Sequence, residues 1–209
     1  MRMAPTSGGW LEVVCGPMFS GKSEELMRRM RRAQIAGQHV GIFKPAIDRR
    51  FDVSAVVSHA GVRMQAVAVR DASALAALAE PCDVVGVDEA QFFASDLIAV
   101  VQSLVRGGRR VVCGGLDCDY RGIPFGPMPD LLAIAEFVDK LQAVCHRCGG
   151  PATMTQRLVA GEPAPFDGDT IVVGAADQYE ARCRDCHRVG IPEPTACRVG
   201  RKPRPYIPG

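Results

Sequence analysis

Several things are scarce in this chain, and each scarcity closes off a class of function. No apolar run approaches the about 20 residues that a bilayer-spanning helix requires. The opening ten residues, MRMAPTSGGW, hold no apolar stretch of the kind found in a secretory signal. Charge of one sign is not in excess, since 25 Lys and Arg stand against 23 Asp and Glu for a formal net charge of +2. That balance gives no general reason to expect nucleic acid or membrane as a partner. No internal repeat is visible. The simplest expectation is a cytoplasmic chain. Its 209 residues, 47% hydrophobic and 23% charged, suffice for one substantial core plus a small appended module.

Cysteine is not scarce. Nine thiols in such a chain need an explanation other than disulfides. Five are scattered, at Cys15, Cys82, Cys113, Cys118 and Cys197, and Cys15 and Cys113 close apolar runs as small buried side chains would. The others form Cys145-x-x-Cys148 and Cys183-x-x-Cys186, two zinc half-sites with 34 residues between them. Each pair can set two thiolates on a tight knuckle, and two knuckles complete a tetrahedral site. The gap exceeds the about 15–20 residues common between such pairs. A loop must therefore bulge between the arms, and residues 156–170, with Gly161, Pro163, Pro165 and Gly168, supply it. Four sulfurs leave no open coordination position, so the expected zinc is structural. His146 and His187 sit beside the ligands and are alternative donors, but the regular spacing favours the thiolates. A redox disulfide fits less well, because neither pair opens a helix in a thioredoxin-like unit.

The most informative segment is Gly16-Pro17-Met18-Phe19-Ser20-Gly21-Lys22-Ser23, which fits the phosphate-loop pattern. Its glycines let the backbone wrap until N–H groups face phosphate oxygens, Lys22 can reach the outer phosphates, and the Ser23 hydroxyl can ligate Mg²⁺. An apolar run of strand length, residues 10–15, precedes it, and strong helix formers follow it. A chance glycine turn would not need that context, whereas a phosphate loop does, because the helix end adds positive partial charge beneath the phosphates.

Through residue 142, short apolar runs alternate with helical stretches. The pattern predicts strands at 10–15, 39–43, 65–69, 83–87, 110–114 and 136–139, and helices at 23–36, 72–80 and 95–106. Nearly continuous apolar strands imply a parallel sheet covered by helices on both faces, with the site at the carboxyl ends of the strands. Asp88 and Glu89 follow the run 83–87. An acid there is the usual second support for Mg²⁺, and Glu89 can orient and deprotonate an attacking oxygen. Exposed loop acids are the bland alternative. Moreover, Asp-Glu serves a water-activating ATPase as well as a kinase, so these two residues leave the reaction open. From Ala143 the strand–helix alternation stops. The expected organisation is an ATP-binding α/β domain at 1–142, a zinc-binding domain at 143–195 and an irregular Pro/Arg/Gly-rich tail at 196–209.

Taken together, GPMFSGKS, KPAIDRR followed by SHAG, VDEAQFF, GLDCDYRGIPFG and the Cys pairs closely resemble the type II, zinc-containing thymidine kinases over roughly residues 10–190. The resemblance implies a phosphate-loop fold and ATP-dependent phosphorylation of the 5′-hydroxyl of thymidine, usually also of deoxyuridine. It further implies a homotetramer and feedback inhibition by dTTP. By position it assigns Lys22 and Ser23 to phosphates and Mg²⁺, Asp88 to the metal, and Glu89 as base. Met18, Phe92, Leu116, Tyr120 and Phe125 match positions lining the nucleoside pocket. Asp48 and Arg50 fall near the ribose and transferred phosphate. Thr155, Ile171, Val173, Gly174 and Tyr179 fall in a lasso that closes over thymine between the zinc arms. Some features depart: the last zinc ligand is His in some relatives, here Cys186 beside His187, and Tyr120 replaces a Phe, adding a hydroxyl near the pocket. A zinc-ribbon ATPase acting on a macromolecule and a nucleotide-binding regulatory module are the competing readings.

Overall fold

The computed structural model describes residues 8–46, 55–57, 63–170 and 177–190. The elements run β1 (Trp10–Cys15), α1 (Lys22–Ile35), β2 (Val40–Pro45), β3 (Ala55–Val57), β4 (Arg63–Gln65), β5 (Val67–Val69), α2 (Ala72–Ala79) and β6 (Val84–Val87). After a 3₁₀ turn at Ala90–Phe92 come α3 (Leu97–Arg106), β7 (Arg110–Gly115), α4 (Met128–Ile134), β8 (Phe137–Lys140), β9 (Ala143–Val144), β10 (Pro151–Ala152), β11 (Met154–Val159), β12 (Glu162–Pro163) and β13 (Asp177–Arg182).

Six strands form one sheet in the order β5-β2-β6-β7-β1-β8, and every pairing is parallel. The central strands are apolar on both faces because both are covered. Val13 and Val111 belong to the cluster that includes Leu75, Leu97 and Leu131. Val14 and Val112 pack on the other side with Leu26, Met27 and Met30 of α1. The fold is thus α/β with helices about a parallel sheet.

Two details differ from the sequence reading. The segment 65–69 is not one strand: Ala66 separates β4, which pairs antiparallel with β3, from β5 at the edge of the main sheet. Four apolar residues in a row after Gln65 do not reveal that the chain changes sheets midway. Helix α4 was not anticipated, since Pro129 and short length weaken the helical signal in MPDLLAI. Its proline lies at the first turn, where the missing N–H costs nothing.

Past β8 the chain builds two small antiparallel sheets, β10-β9 and β12-β11-β13. Strand β11 runs against β13 from Met154↔Arg182 to Val159↔Asp177.

Helix α1 is locked beneath the phosphate loop by a buried arginine. Arg29 donates to Glu12 of β1 at 2.6 Å, to Asp139 of β8 at 2.6 Å and to Glu25 one turn earlier at 2.8 Å. Arg110 reaches the other Glu12 oxygen at 2.6 Å. A low-polarity setting makes such a network stiff but sensitive to loss of one member. Arg29→Met should destabilise the protein by about 3–5 kcal/mol, because three carboxylates lose a shared buried cation. Urea unfolding checks this, and a loss below about 1 kcal/mol would show that the network is energetically idle.

Candidate active site

The phosphate loop bridges β1 and α1 at the carboxyl edge of the sheet. Gly16 has φ 142, and a side chain there would lie 2.5 Å from the Leu141 carbonyl oxygen. Only glycine fits at that approach. Gly21, at φ 83, turns the chain into α1, and its carbonyl accepts from Glu25 N–H at 3.0 Å. Ser20 Oγ and Lys22 Nζ both donate to the Pro17 carbonyl, at 2.8 and 2.7 Å, so the loop is drawn shut across its own width. Phe19 stands exposed at its tip with φ 66.

Asp88 and Glu89 leave β6 directly opposite. The Ser23 hydroxyl donates to the Asp88 carboxylate, 3.1 Å from Oδ2 and 3.3 Å from Oδ1. These two groups are a hard-oxygen pair of the kind that holds Mg²⁺, and their closeness fits that use. Burial pushes the Asp88 carboxyl up to about 7, Glu89 adds to the push, and the Ser23 hydroxyl opposes it. Desolvation lowers the Lys22 ammonium, while Glu89, Asp88 and Asp117 act to raise it. Glu89 has φ 53, a left-handed conformation unusual for a side chain of this size. Its carbonyl accepts from Phe92 N–H at 3.1 Å, which starts the 3₁₀ turn.

Some of the expected nucleoside-pocket residues come together. Phe92 and Phe125 meet edge to face with centroids 5.6 Å apart. Met18 N–H donates to Thr155 Oγ1 at 3.0 Å, tying the phosphate loop to β11. Leu116 N–H donates at 3.0 Å to Gln91, whose amide also donates to Glu89 at 2.5 Å. Tyr179 lines a cleft of about 530 Å³ with Phe19, Val144, His146, Glu180 and Ala181, and none of the other pocket candidates lines it. Asp48, Arg50, Ile171, Val173 and Gly174 lie outside the described residues.

The hydroxyl that Tyr120 adds has partners of its own, for it donates toward the carbonyls of Pro165, at 2.8 Å, and Gly168, at 3.0 Å. The guanidinium of Arg157 lies 5.3 Å from the ring centroid, and its Nη1 donates to the Asp169 carbonyl at 2.6 Å. Arg121 donates to Thr170 at 2.9 Å. Three side chains thus pin the segment that precedes residue 171.

The sulfurs of Cys145, Cys148, Cys183 and Cys186 all lie within 4.8 Å of one another. The Cys148–Cys183 separation is 3.7 Å, close to the about 3.8 Å edge of a tetrahedron built on Zn–S bonds of about 2.3 Å. The donor set fits a structural zinc. His187 is occupied elsewhere: its Nε2 lies 2.8 Å from the Tyr120 carbonyl and must donate to it. His146 faces Glu180 at 3.6 Å.

The sequence reading passed over two buried polar residues. Gln91, 2% exposed, lies between Ala90 and Phe92, and its signal was a polar side chain two residues past Glu89 in an otherwise apolar segment. Asp117 follows β7 as Asp88 follows β6, and it pairs with Lys140 at 2.7 Å.

A parallel sheet with a phosphate loop after its first strand in sequence and paired acids after β6 is the architecture of a phosphate-loop nucleotide-binding protein. A family model described as thymidine kinase matches residues 9–187. The chain belongs to the thymidine kinase family, and the four-cysteine cluster is consistent with its zinc-containing type II branch.

Two expectations follow. An acid whose folded value is raised takes up a proton on folding, so the contribution of Asp88 to stability declines as pH rises from about 4 to about 7. Asp88→Asn keeps an oxygen for Ser23 and removes the charge, so the nucleotide-free variant should be more stable than wild type at pH 8, by on the order of 2 kcal/mol. Thermal unfolding at pH 5 and pH 8 tests it; equal or lower stability at pH 8 counts against a buried charge there. Tyr120→Phe should keep the ring packing but release two carbonyls, speeding amide exchange in 160–170 by about 5- to 30-fold. Unchanged exchange by mass spectrometry would show that Arg157 and Arg121 suffice.

Proposed function

We propose that this protein transfers the γ-phosphoryl group of ATP to the 5′-hydroxyl of thymidine, and of deoxyuridine, in deoxynucleoside salvage, with dTTP as feedback inhibitor. The observation that carries the reading is the set Lys22, Ser23, Asp88 and Glu89 gathered at one sheet edge in a chain of the thymidine kinase family. In-line phosphoryl transfer asks little covalent chemistry of a protein, so positioning and charge stabilisation dominate. The loop N–H groups and Lys22 hold the phosphates. Ser23 and Asp88 hold Mg²⁺, which screens charge between the phosphate oxygens when bound. Glu89 accepts the proton of the attacking hydroxyl, which raises the nucleophilicity of that oxygen.

Met18, Phe92, Leu116 and Phe125, with Thr155 and Tyr179, surround the nucleoside. Asp48 and Arg50 serve the ribose and the transferred phosphate, and Ile171, Val173 and Gly174 offer main chain to the base. Tyr120 lines the same pocket and also holds the loop at Pro165 and Gly168. Thymine presents an N3–H donor between two carbonyl acceptors, whereas cytosine has a bare N3 and an amino group at C4. Main-chain contacts suited to thymine therefore meet cytosine like to like, at on the order of 1–3 kcal/mol for each mismatch. Zinc on Cys145, Cys148, Cys183 and Cys186 is structural and fixes both ends of the lasso. The working organisation is an ATP-binding domain at 1–142, a zinc and lasso domain at 143–195 and a tail at 196–209. The enzyme works in the cytoplasm as a homotetramer without nucleic-acid or membrane partners. No helix among the described residues is long and apolar enough to cross a membrane.

ADP release with thymidine, with deoxycytidine and with neither tests the reading in one assay. Release should depend on nucleoside and favour thymidine by about several hundredfold in kcat/KM. Glu89→Gln should retain binding of both substrates and lose about 10²–10⁴-fold in kcat. Nucleoside-independent release, or comparable efficiency on deoxycytidine, would defeat the assignment.

A further inference from the structure

Gln91 is buried beside the transfer site, and its amide has no freedom of orientation. Leu116 N–H points at its oxygen from 3.0 Å, and a donor can only face an acceptor. The amide nitrogen is therefore turned to Glu89 Oε2, 2.5 Å away. Glycines let the chain pass close to both the side chain and the backbone of Gln91. A Cβ on Gly115 would approach the side-chain Oε1 of Gln91 to 2.6 Å, and one on Gly126 would approach its main-chain carbonyl oxygen to 2.2 Å. Gly126 has φ 53, so the loop after β7 reaches this contact through a conformation that glycine permits. Glu89 is thus fixed twice from the same short turn, through its backbone by Phe92 N–H and through its carboxylate by Gln91.

We propose that Gln91 is a positioning residue for phosphoryl transfer. By donating to one carboxylate oxygen of Glu89, it fixes the side-chain torsions of Glu89 and leaves the other oxygen to accept from the substrate hydroxyl. The proposal rests on the reading of Glu89 as the base. It also gives β7 a stake in catalysis, because Leu116 sets the orientation of the amide that sets Glu89. A general base must be held within a fraction of an ångström of its proton donor, and a displacement of about 1 Å costs on the order of 10²-fold in rate.

Two substitutions separate this role from simple core filling. Gln91→Glu keeps an oxygen facing Leu116 N–H and replaces the donor to Glu89 with a second acceptor. Gln91→Met keeps the volume and loses both contacts. Each should lower kcat by about 10- to 100-fold while the KM values for thymidine and ATP stay within about 3-fold of wild type. The decisive measurement is the double variant Glu89→Gln with Gln91→Glu. An effect that runs through Glu89 disappears once Glu89 is replaced, so kcat should be no lower than in Glu89→Gln alone. Wild-type kcat in Gln91→Glu, or losses that multiply in the double variant, would overturn the proposal. Near-normal kcat in Glu89→Gln alone would remove Glu89 as base, and this proposal with it, whatever the Gln91 variants do.

Discussion

Burial of negative charge governs the active edge of this sheet. Asp88 and Asp117 are both nearly inaccessible to water, and Glu89 stands beside them. An uncompensated carboxylate in such a place is costly, and the chain answers in three ways. Asp88 takes the Ser23 hydroxyl and holds its proton more tightly than a free acid would. Asp117 takes Lys140 from the end of β8, which lies beyond β1 from β7. Lys22 lies in the field of all three acids while its ammonium spans the phosphate loop. The site is therefore held in tension before any ligand arrives, and a bound cation relieves part of it. Stability and function pull against each other here, as they do wherever catalytic charge is desolvated.

The cysteine cluster reaches this edge through a short series of contacts. Cys186 adjoins His187, whose ring donates to the Tyr120 carbonyl, and the Tyr120 hydroxyl holds the carbonyls of Pro165 and Gly168. Gln156 of β11 exchanges hydrogen bonds with the main chain of Arg188, accepting at 2.8 Å and donating at 2.7 Å. The knuckle at 183–186 is thus fastened to the loop after β7 and to β11 at once. Loss of the metal would loosen two walls of the proposed nucleoside pocket rather than one distant appendage.

Much of this was legible in the sequence, for identifiable reasons. The strand preceding the phosphate loop and the one preceding Asp88 lie deep in the sheet and are apolar on both faces, so composition alone marks them. The phosphate loop is a local device whose residues are all consecutive. The cysteine pairs announce themselves by spacing, and the four sulfurs do converge. What escaped depends on partners far along the chain. Ala66 looks like mid-strand until β3 is known to pair with β4. Arg29 reads as one more basic residue on a helix, and only the fold brings Glu12 and Asp139 to it. Nothing next to Tyr120 in the sequence names the partners of its hydroxyl, which lie in the segment 45–48 residues later. Gln91 was hidden although its partner Glu89 is only two residues away, because the contact that orients its amide comes from Leu116, just after β7.

The hydrogen bond from Met18 N–H to Thr155 Oγ1 joins the two halves of a bisubstrate reaction at one point. In the function proposed above, Met18 belongs to the loop that receives the phosphate donor, and Thr155 to the strand that helps to enclose the acceptor. A donor nucleotide that moves this loop therefore works against β11, and an acceptor that moves β11 works against the loop. Thermodynamics makes such an effect symmetrical: the factor by which one substrate changes the affinity of the other is the same read in either direction. Synergism between substrates then needs no large movement, only a loop and a strand that share a proton between an amide and a hydroxyl.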